Sequence, residues 1–474
     1  VNQSDTPLVD AVRLARSQGR HPLLVPGHKM QYAQNPEVIG YDLLHDLVRD
    51  DVSLQGGADD LAMTTKVLES AESLYAKAIG ADHTRFVVGG STQANISSLL
   101  TISQPDRLVA VDRTSHRSAL AGLVLSGAMP EWIFPEVHAD YGVPVGVRAS
   151  SVAAISSDVT AVWVTSPSYV GTLSDIAALA AAAHAHGVPL MVDQAWGAHL
   201  DYLPGRGALA LGADIAVTSI HKALMGYSAT AIVSCRGGLI DPHRLDRSVD
   251  LTATTSPSAT LLASIDATRH VMLTDGVAAL ARVAAATAEA RDIVRGVAGV
   301  VVIDESSVGC LIDPNKLTLW LPETGVTGTM LSDALWERRI GVEAADSDTI
   351  VMTMSPVDSS EWIVEAARVV AGLIESMRGR PRTPAPVATW QVRPEVVITP
   401  REAMFAPRRR MSLREAVGQV SAEQFCPYPP GVPLLGPGER VTEALVDAIG
   451  VAGTLGRVAY CSDPTLATIE VVNQ

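Results

Sequence analysis

The sequence predicts an α/β chain whose largest unit rests on a mainly parallel sheet. Three observations carry this. Between about residues 60 and 235, short apolar β-branched runs alternate with Ala-rich stretches of helical composition. Those runs do not alternate polar with apolar residues, so both faces of each strand are expected to be covered. At 474 residues, with 47% hydrophobic and 18% charged side chains, the chain can bury a large core and is too apolar to be disordered.

The elements follow in order. Residues 1–55 read as an N-terminal arm, and 56–270 as the large domain. In the latter, TKVLESAESLYAKAIG is a helix, TRFVVGG a strand, STQANISSLLTIS a helix and RLVAVD a strand. RSALAGLVLSG, AVWVTSP, DIAALAAAAHAHG, VPLMVDQ and DIAVTSI continue the alternation. A long helical stretch from Leu261 to about Gly296 leads into short strands and helices ending near Met377. Residues 271–382 are thus expected to form a smaller α+β domain. Arg378 to Pro394 is rich in Pro and Arg and reads as a linker. The remainder, within a third unit at 383–474, contains CPYPPGVPLLGPGE, whose prolines fix an extended loop.

The formal charge of −15 repels phosphate backbones, and the Arg408–Arg410 run is too short to reverse it, so nucleic acid is not expected as a partner. No uninterrupted apolar run reaches the ~18 residues of a bilayer span, so no membrane association is expected. Asp5 and Asp10 precede any apolar stretch, unlike a secretory signal. The four cysteines are far apart and form no metal-type or redox pair, which suggests reduced thiols and a cytoplasmic protein without a metal site.

In parallel α/β sheets, ligands bind beyond the carboxyl ends of the strands. Four unusual features lie there. Lys222, in TSIHKALMGYSA beside Ser219 and His221, is placed to be a Schiff-base amine with phosphate-binding neighbours. Asp193 ends VPLMVD and could pair with a pyridinium nitrogen. Gly89 and Gly90 in GGSTQAN allow close backbone approach, and Ser91, Thr92 and Gln93 then open a helix that can hold a phosphate. His116 follows RLVAVD, where it could stack on a ring or act in acid–base chemistry. Singly, each has an ordinary reading: a solvated lysine, a helix cap, a common helix start, a surface histidine. Their order, each after its own strand, matches a fold-type-I enzyme that uses pyridoxal 5'-phosphate.

Further motifs make the resemblance specific. HPLLVPGHK (His21 to Lys29), DRTSHRS, SPSYVGTLSDI, VDQAWGAH, TSIHK, DLTATTSPSATLLASID and CPYPPGVPLLGPGE run through nearly the whole chain. Together they resemble the Orn/Lys/Arg decarboxylase family in a short form without an N-terminal wing domain. The resemblance implies an aspartate-aminotransferase-like large domain, a small α+β domain and a C-terminal domain. It implies decarboxylation of lysine, ornithine or arginine to a diamine or polyamine. By it, Lys222 carries the cofactor, Asp193 binds the ring nitrogen and His116 stacks on the ring. Ser91, Thr92, Ser219 and His221 hold the phosphate, and Trp196 lies nearby. Thr255 or Ser256 reaches the partner subunit's phosphate in a homodimer or higher homo-oligomer with sites at the interface.

Departures from the family pattern stand at Gln194, where Glu is usual, and at Ala223, Ala229 and Tyr169. They leave open an altered outcome, such as transamination or oxidation of a cationic amino acid, or a catalytically silent homologue. Candidate carboxylates for a cationic substrate are Asp59, Asp60 and Glu439, each of which could equally be a solvated loop carboxylate.

Overall fold

A computed structural model describes residues 2–18, 25–32, 36–37, 39–54, 58–59, 67–385, 392–428, 431–454 and 458–473. At its centre is a seven-stranded sheet. The strands are β1 (His83–Val87), β2 (Leu108–Asp112), β3 (Met129–Ile133), β4 (Val159–Thr165), β5 (Leu190–Asp193), β6 (Ile215–Ser219) and β7 (Ala231–Cys235). They lie in the order β1-β7-β6-β5-β4-β2-β3. Only β7 is antiparallel to its neighbours; the connection 220–230, with one helical turn at Ile220–Ala223, returns it beside β6 without crossing the sheet. β3 and β7 are additions to the strands read from sequence. Pro130 interrupts the apolar pattern of β3 and is tolerated because β3 is an edge strand.

Successive side chains of each strand enter opposite faces. Val109, Val111, Trp163, Met191, Val217 and Val233 pack on the helices Gly90–Ile102 and Arg117–Ser126. Ala110, Val162, Val164, Leu190, Val192 and Ala216 form the opposite layer with Ile176, Leu179 and Ala183 of the helix Ile176–Ala185. Both faces are therefore covered, as the unbroken apolar runs require.

Ala259–Arg295 is one continuous helix of 37 residues, long and apolar enough by composition to cross a bilayer. Here it serves two cores. Its first half, with Leu262 and Ile265, packs on Leu8 and Val12 of the N-terminal helix Pro7–Ser17. The second half, with Val283, Ala290 and Val294, covers a four-stranded antiparallel sheet. That sheet contains β8 (Val301–Val302), β9 (Lys316–Trp320), β10 (Ala344–Ala345) and β11 (Thr349–Thr353), in the order β8-β9-β11-β10. The Asp266–Arg269 pair is fully buried, and Asp266 accepts the Leu8 N–H at 3.1 Å, which ties the arm to this helix.

The front of the Pro-rich stretch is packed rather than a free spacer. Arg382 pairs with Asp348, and the Ala385 N–H donates to the same carboxylate at 2.7 Å. Residues 386–391 lie outside the described residues. In the C-terminal unit, Arg408–Ser412 pairs antiparallel with Thr468–Val472, and both Arg408 and Arg410 form ion pairs with Glu470. Glu470 thus offsets part of the charge of the arginine run, and Arg409 donates to Gln419 Oε1 at 3.1 Å.

Candidate active site

The carboxyl ends of β5 and β6 deliver Asp193 and, three residues past Ser219, Lys222. Asp193 is 3% exposed. Its Oδ1 accepts the Ala195 N–H at 3.0 Å and its Oδ2 accepts from Asn95 Nδ2 at 2.7 Å. Burial raises its pKa, while Lys222 and these donors pull it down. Burial pushes the Lys222 amine below its ordinary range, opposed by Asp193 and Glu343. A desolvated lysine has a larger neutral, nucleophilic fraction than a solvated one.

The helix Gly90–Ile102 serves two stations with one face. Ser91 and Asn95 are one turn apart, so their side chains lie together. Ser91 Oγ accepts from Ser219 Oγ at 3.3 Å, at the helix N-terminus where the first N–H groups precede the helical ladder. Gly90 has φ +69° and donates to the Ala229 carbonyl at 2.7 Å, which closes this loop against the turn after Lys222. Asn95 Nδ2 donates both to Asp193 and to Ser118 Oγ, the latter at 2.9 Å. Ser118 Oγ in turn lies 2.9 Å from His116 Nδ1, which also accepts the Ser118 N–H. A hydrogen-bonded chain therefore links Asp193, Asn95, Ser118 and His116. Burial, with Lys222 and Arg117 adding to it, lowers the His116 pKa to about 4, so its imidazole is neutral at neutral pH.

Trp196 carries two amines against its ring. Lys222 Nζ lies 4.1 Å from the ring centroid and Lys316 Nζ 4.0 Å. Lys316 comes from β9 of the small sheet, is 1% exposed and donates to the Tyr169 carbonyl at 2.9 Å. Burial lowers its pKa to about 8, with Lys222 adding to the shift and Asp313 and Glu343 opposing it. Lys316, Glu343, Asn95 and Ser118 are the members of this site that sequence reasoning did not assign.

The other expected residues fall as follows. Gln93 accepts the Gly89 N–H on its Oε1 at 2.9 Å, closing the loop on itself. His221 Nδ1 donates to the Thr230 carbonyl at 2.9 Å. Thr92 begins the same helix as Ser91. Thr255 and Ser256 are exposed on the segment after Thr252, and among the described residues the structure does not bring them into this network.

Two candidate substrate carboxylates are committed elsewhere. Asp59 is buried and accepts the Leu68 N–H at 2.7 Å. Glu439 is 1% exposed and pairs with Arg113. Neither is a solvated loop carboxylate. Asp60 lies outside the described residues, as do His21 to Leu24 of the HPLLVPGHK motif.

Gln194 has a structural reason that sequence did not reveal. Its Nε2 donates to the Gly197 carbonyl at 3.0 Å and to Asp201 Oδ1 at 2.9 Å, and its Oε1 accepts the Ala208 N–H at 2.7 Å. Burial raises the Asp201 pKa to about 7. A neutral amide donor matches that carboxylate, whereas Glu would oppose it. Gln194→Glu is expected to lower Tm by about 5 °C or more through a lost donor and two buried acids. The two acids would have to share a proton, so their folded pKa is raised and the loss grows as pH rises. Melting curves at mildly acidic and alkaline pH check this; an unchanged Tm at both would show that Asp201 does not require the amide.

The groups present fit pyridoxal phosphate. A half-buried amine is coupled to a buried carboxylate, a neutral imidazole stands near them, and hydroxyls meet a helix N-terminus. One buried polar atom in this floor, Asn95 Oδ1, has no protein partner, as expected where a polar ligand completes the set.

Residues 6–361 match the Orn/Lys/Arg decarboxylase major domain, and residues 387–452 match the C-terminal domain of the same family. An arginine decarboxylase from Bacillus subtilis is 30% identical over 490 residues, covering all of this chain and 99% of that protein. A lysine decarboxylase from Pseudomonas aeruginosa is 24% identical, covering 83% of this chain and 68% of its own length. Among solved structures, a lysine decarboxylase from Francisella novicida superposes with a TM-score of 0.85 at 18% identity, covering 99% of this chain and 81% of that one. An aspartate aminotransferase from Thermus thermophilus gives a TM-score of 0.51 at 17% identity, covering 66% of this chain and 93% of that one. The mixed sheet with Lys222 and Asp193 at its strand ends, both domain matches and the full-length relative agree: the protein belongs to the Orn/Lys/Arg decarboxylase family, enzymes of the fold-type-I pyridoxal-phosphate class.

Proposed function

We propose that this chain removes the α-carboxylate of a basic L-amino acid, arginine first among lysine, ornithine and arginine, to give the corresponding amine. The observation that carries the reading is the half-buried Lys222 amine, just past one strand end, electrostatically coupled to the buried Asp193 carboxylate at the adjoining one. The preference for arginine rests on relatives named arginine decarboxylase that match over essentially the full chain.

Pyridoxal phosphate, when bound, supplies an aldehyde carbon for an amine and a protonated ring that accepts electrons. Lys222 would hold it through Nζ, and Asp193 would keep the proton on the ring nitrogen. His116 would cover the ring face; with Nδ1 accepting from Ser118, its proton sits on Nε2. Ser91, Thr92, Ser219 and His221, with the N–H groups of the helix start, would take the phosphate. Lys222 Nζ would be the group placed to return a proton to the α-carbon.

A homodimer or higher homo-oligomer completes the proposal. Exposed Thr255 and Ser256 stand next to exposed Leu251, which supports a subunit contact there.

The test is incubation of the pyridoxal-phosphate-loaded protein with arginine, lysine and ornithine separately. Carbon dioxide and the matching amine are the expected products, with arginine turned over fastest by kcat/KM. A keto acid or peroxide in place of carbon dioxide would overturn the decarboxylase reading. Faster turnover of lysine or ornithine would overturn the preference.

A further inference from the structure

His116 sits in the short connection, 113–116, between β2 and the helix Arg117–Ser126. On its inner side the sheet holds this connection. Asp112 Oδ1 accepts the Thr114 N–H at 2.8 Å, and Asp112 Oδ2 accepts the Thr165 N–H at 3.2 Å. The outer side is held by the C-terminal unit, more than three hundred residues away in sequence.

Arg113 makes a two-pronged pair with Glu439, Nη1 to Oε1 at 2.5 Å and Nη2 to Oε2 at 3.0 Å. Its Nη2 also donates to the Leu434 carbonyl at 2.9 Å, and its guanidinium lies 4.4 Å from the Trp132 ring centroid. Glu439 additionally accepts the Gly436 N–H at 2.7 Å. Four residues on, the Arg117 N–H donates to the Gly431 carbonyl at 3.0 Å, and the Arg117 side chain lies over Tyr460 at 4.2 Å. Residues on both sides of His116 are therefore fastened to the same Pro- and Gly-rich segment.

Arg113 and Glu439 are each about 2% exposed in the side chain. A buried ion pair contributes little net stability against an apolar substitute, so stability alone does not account for it. What a forked pair does supply is a fixed geometry. Glu439 does not face solvent or any space for a substrate; both of its oxygens are directed to this connection.

We propose that the segment Gly431–Glu439 is a positioning device for His116, with Arg113 and Glu439 as positioning residues that set the imidazole against the cofactor ring. The C-terminal unit then acts on the site from outside it. This rests on the placement of His116 over the ring proposed above.

The test uses the full-length protein. The double variant Arg113→Met/Glu439→Leu removes both charges together and is expected to fold with a lowered Tm, because the Leu434 carbonyl and the Gly436 N–H lose their partners. Amide hydrogen exchange in the peptide spanning 113–118 should accelerate at least about tenfold without cofactor. With pyridoxal phosphate added, its dissociation constant should rise about tenfold or more, with altered visible circular dichroism. In a His116→Ala background, adding the double change should produce no further loss of cofactor affinity, because effects through one group do not add.

Unchanged exchange at 113–118, or affinity losses that add, would overturn the positioning role. If the double variant fails to fold, Arg113→Lys, which keeps the charge opposite Glu439 but not the two-pronged geometry, takes the same measurements with the same expected directions. A wild-type protein that binds no pyridoxal phosphate would instead defeat the functional reading, while the exchange result still decides whether the segment orders the His116 connection.

Discussion

Lys222→Ala is expected to remove both the visible absorption of the pyridoxal-phosphate-loaded protein and its turnover, the latter by at least about 10³-fold. The amine stands at the end of β6, its pKa lowered by burial and its charge faced by Asp193 and Glu343. No other described amine can take its place without moving. Lys316 reaches the same tryptophan ring, yet its Nζ is held by the Tyr169 carbonyl at 2.9 Å. Folding should survive, because among the described residues the Lys222 side chain forms no hydrogen bond that the sheet depends on. Absorption spectra and product assays on a variant with wild-type far-ultraviolet dichroism check the prediction. Retention of both properties would show that the covalent anchor lies elsewhere.

Asp193→Asn is expected to lower kcat by roughly 10²–10³-fold, with a smaller effect on KM. The substitution keeps size but removes the charge that would hold a proton on the ring nitrogen. It also places an amide against the Asn95 Nδ2 group, which now donates to Oδ2 at 2.7 Å. The new side chain can still accept that bond through its amide oxygen, but its NH2 then meets the Ala195 N–H that Oδ1 accepts at 3.0 Å, so a fall in Tm is expected beside the chemical loss. Single-turnover rates and the visible spectrum distinguish the two. A kcat within about twofold of wild type would rule out Asp193 as the ring-nitrogen partner.

Much of the fold is legible because buried parallel strands leave a plain trace: apolar β-branched runs whose last residue is polar. Asp193, His116 and Lys222 stand out on that ground, each lying at or just past the end of such a run. β3 escapes because Pro130 and Glu131 break its pattern, which an edge position permits. Asn95 and Ser118 look in sequence like ordinary polar positions of helices; only the packing of two helices on the sheet joins them. Lys316 belongs to the other sheet, and nothing in the order of residues places it beside Trp196. Gln194 misleads through its adjacency to Asp193. Neighbours along a strand end point to opposite sides, and its amide serves Asp201 and Gly197 instead. Glu439 misleads because its partner, Arg113, is 326 positions away.

The double use of Asn95 Nδ2 narrows what this position can accept. One of its N–H bonds is given to Asp193 and the other to Ser118, two residues from His116. Asp offers no proton in its ionised form, Gln is a methylene too long, and Ser has a single proton to give. Ring-nitrogen station and ring-face station are thus indexed to a single side chain, like two gears on one shaft. Any drift in substrate choice has to come from walls outside that shaft, and the small sheet, which brings Lys316 and Glu343 toward Lys222, is the wall free to change.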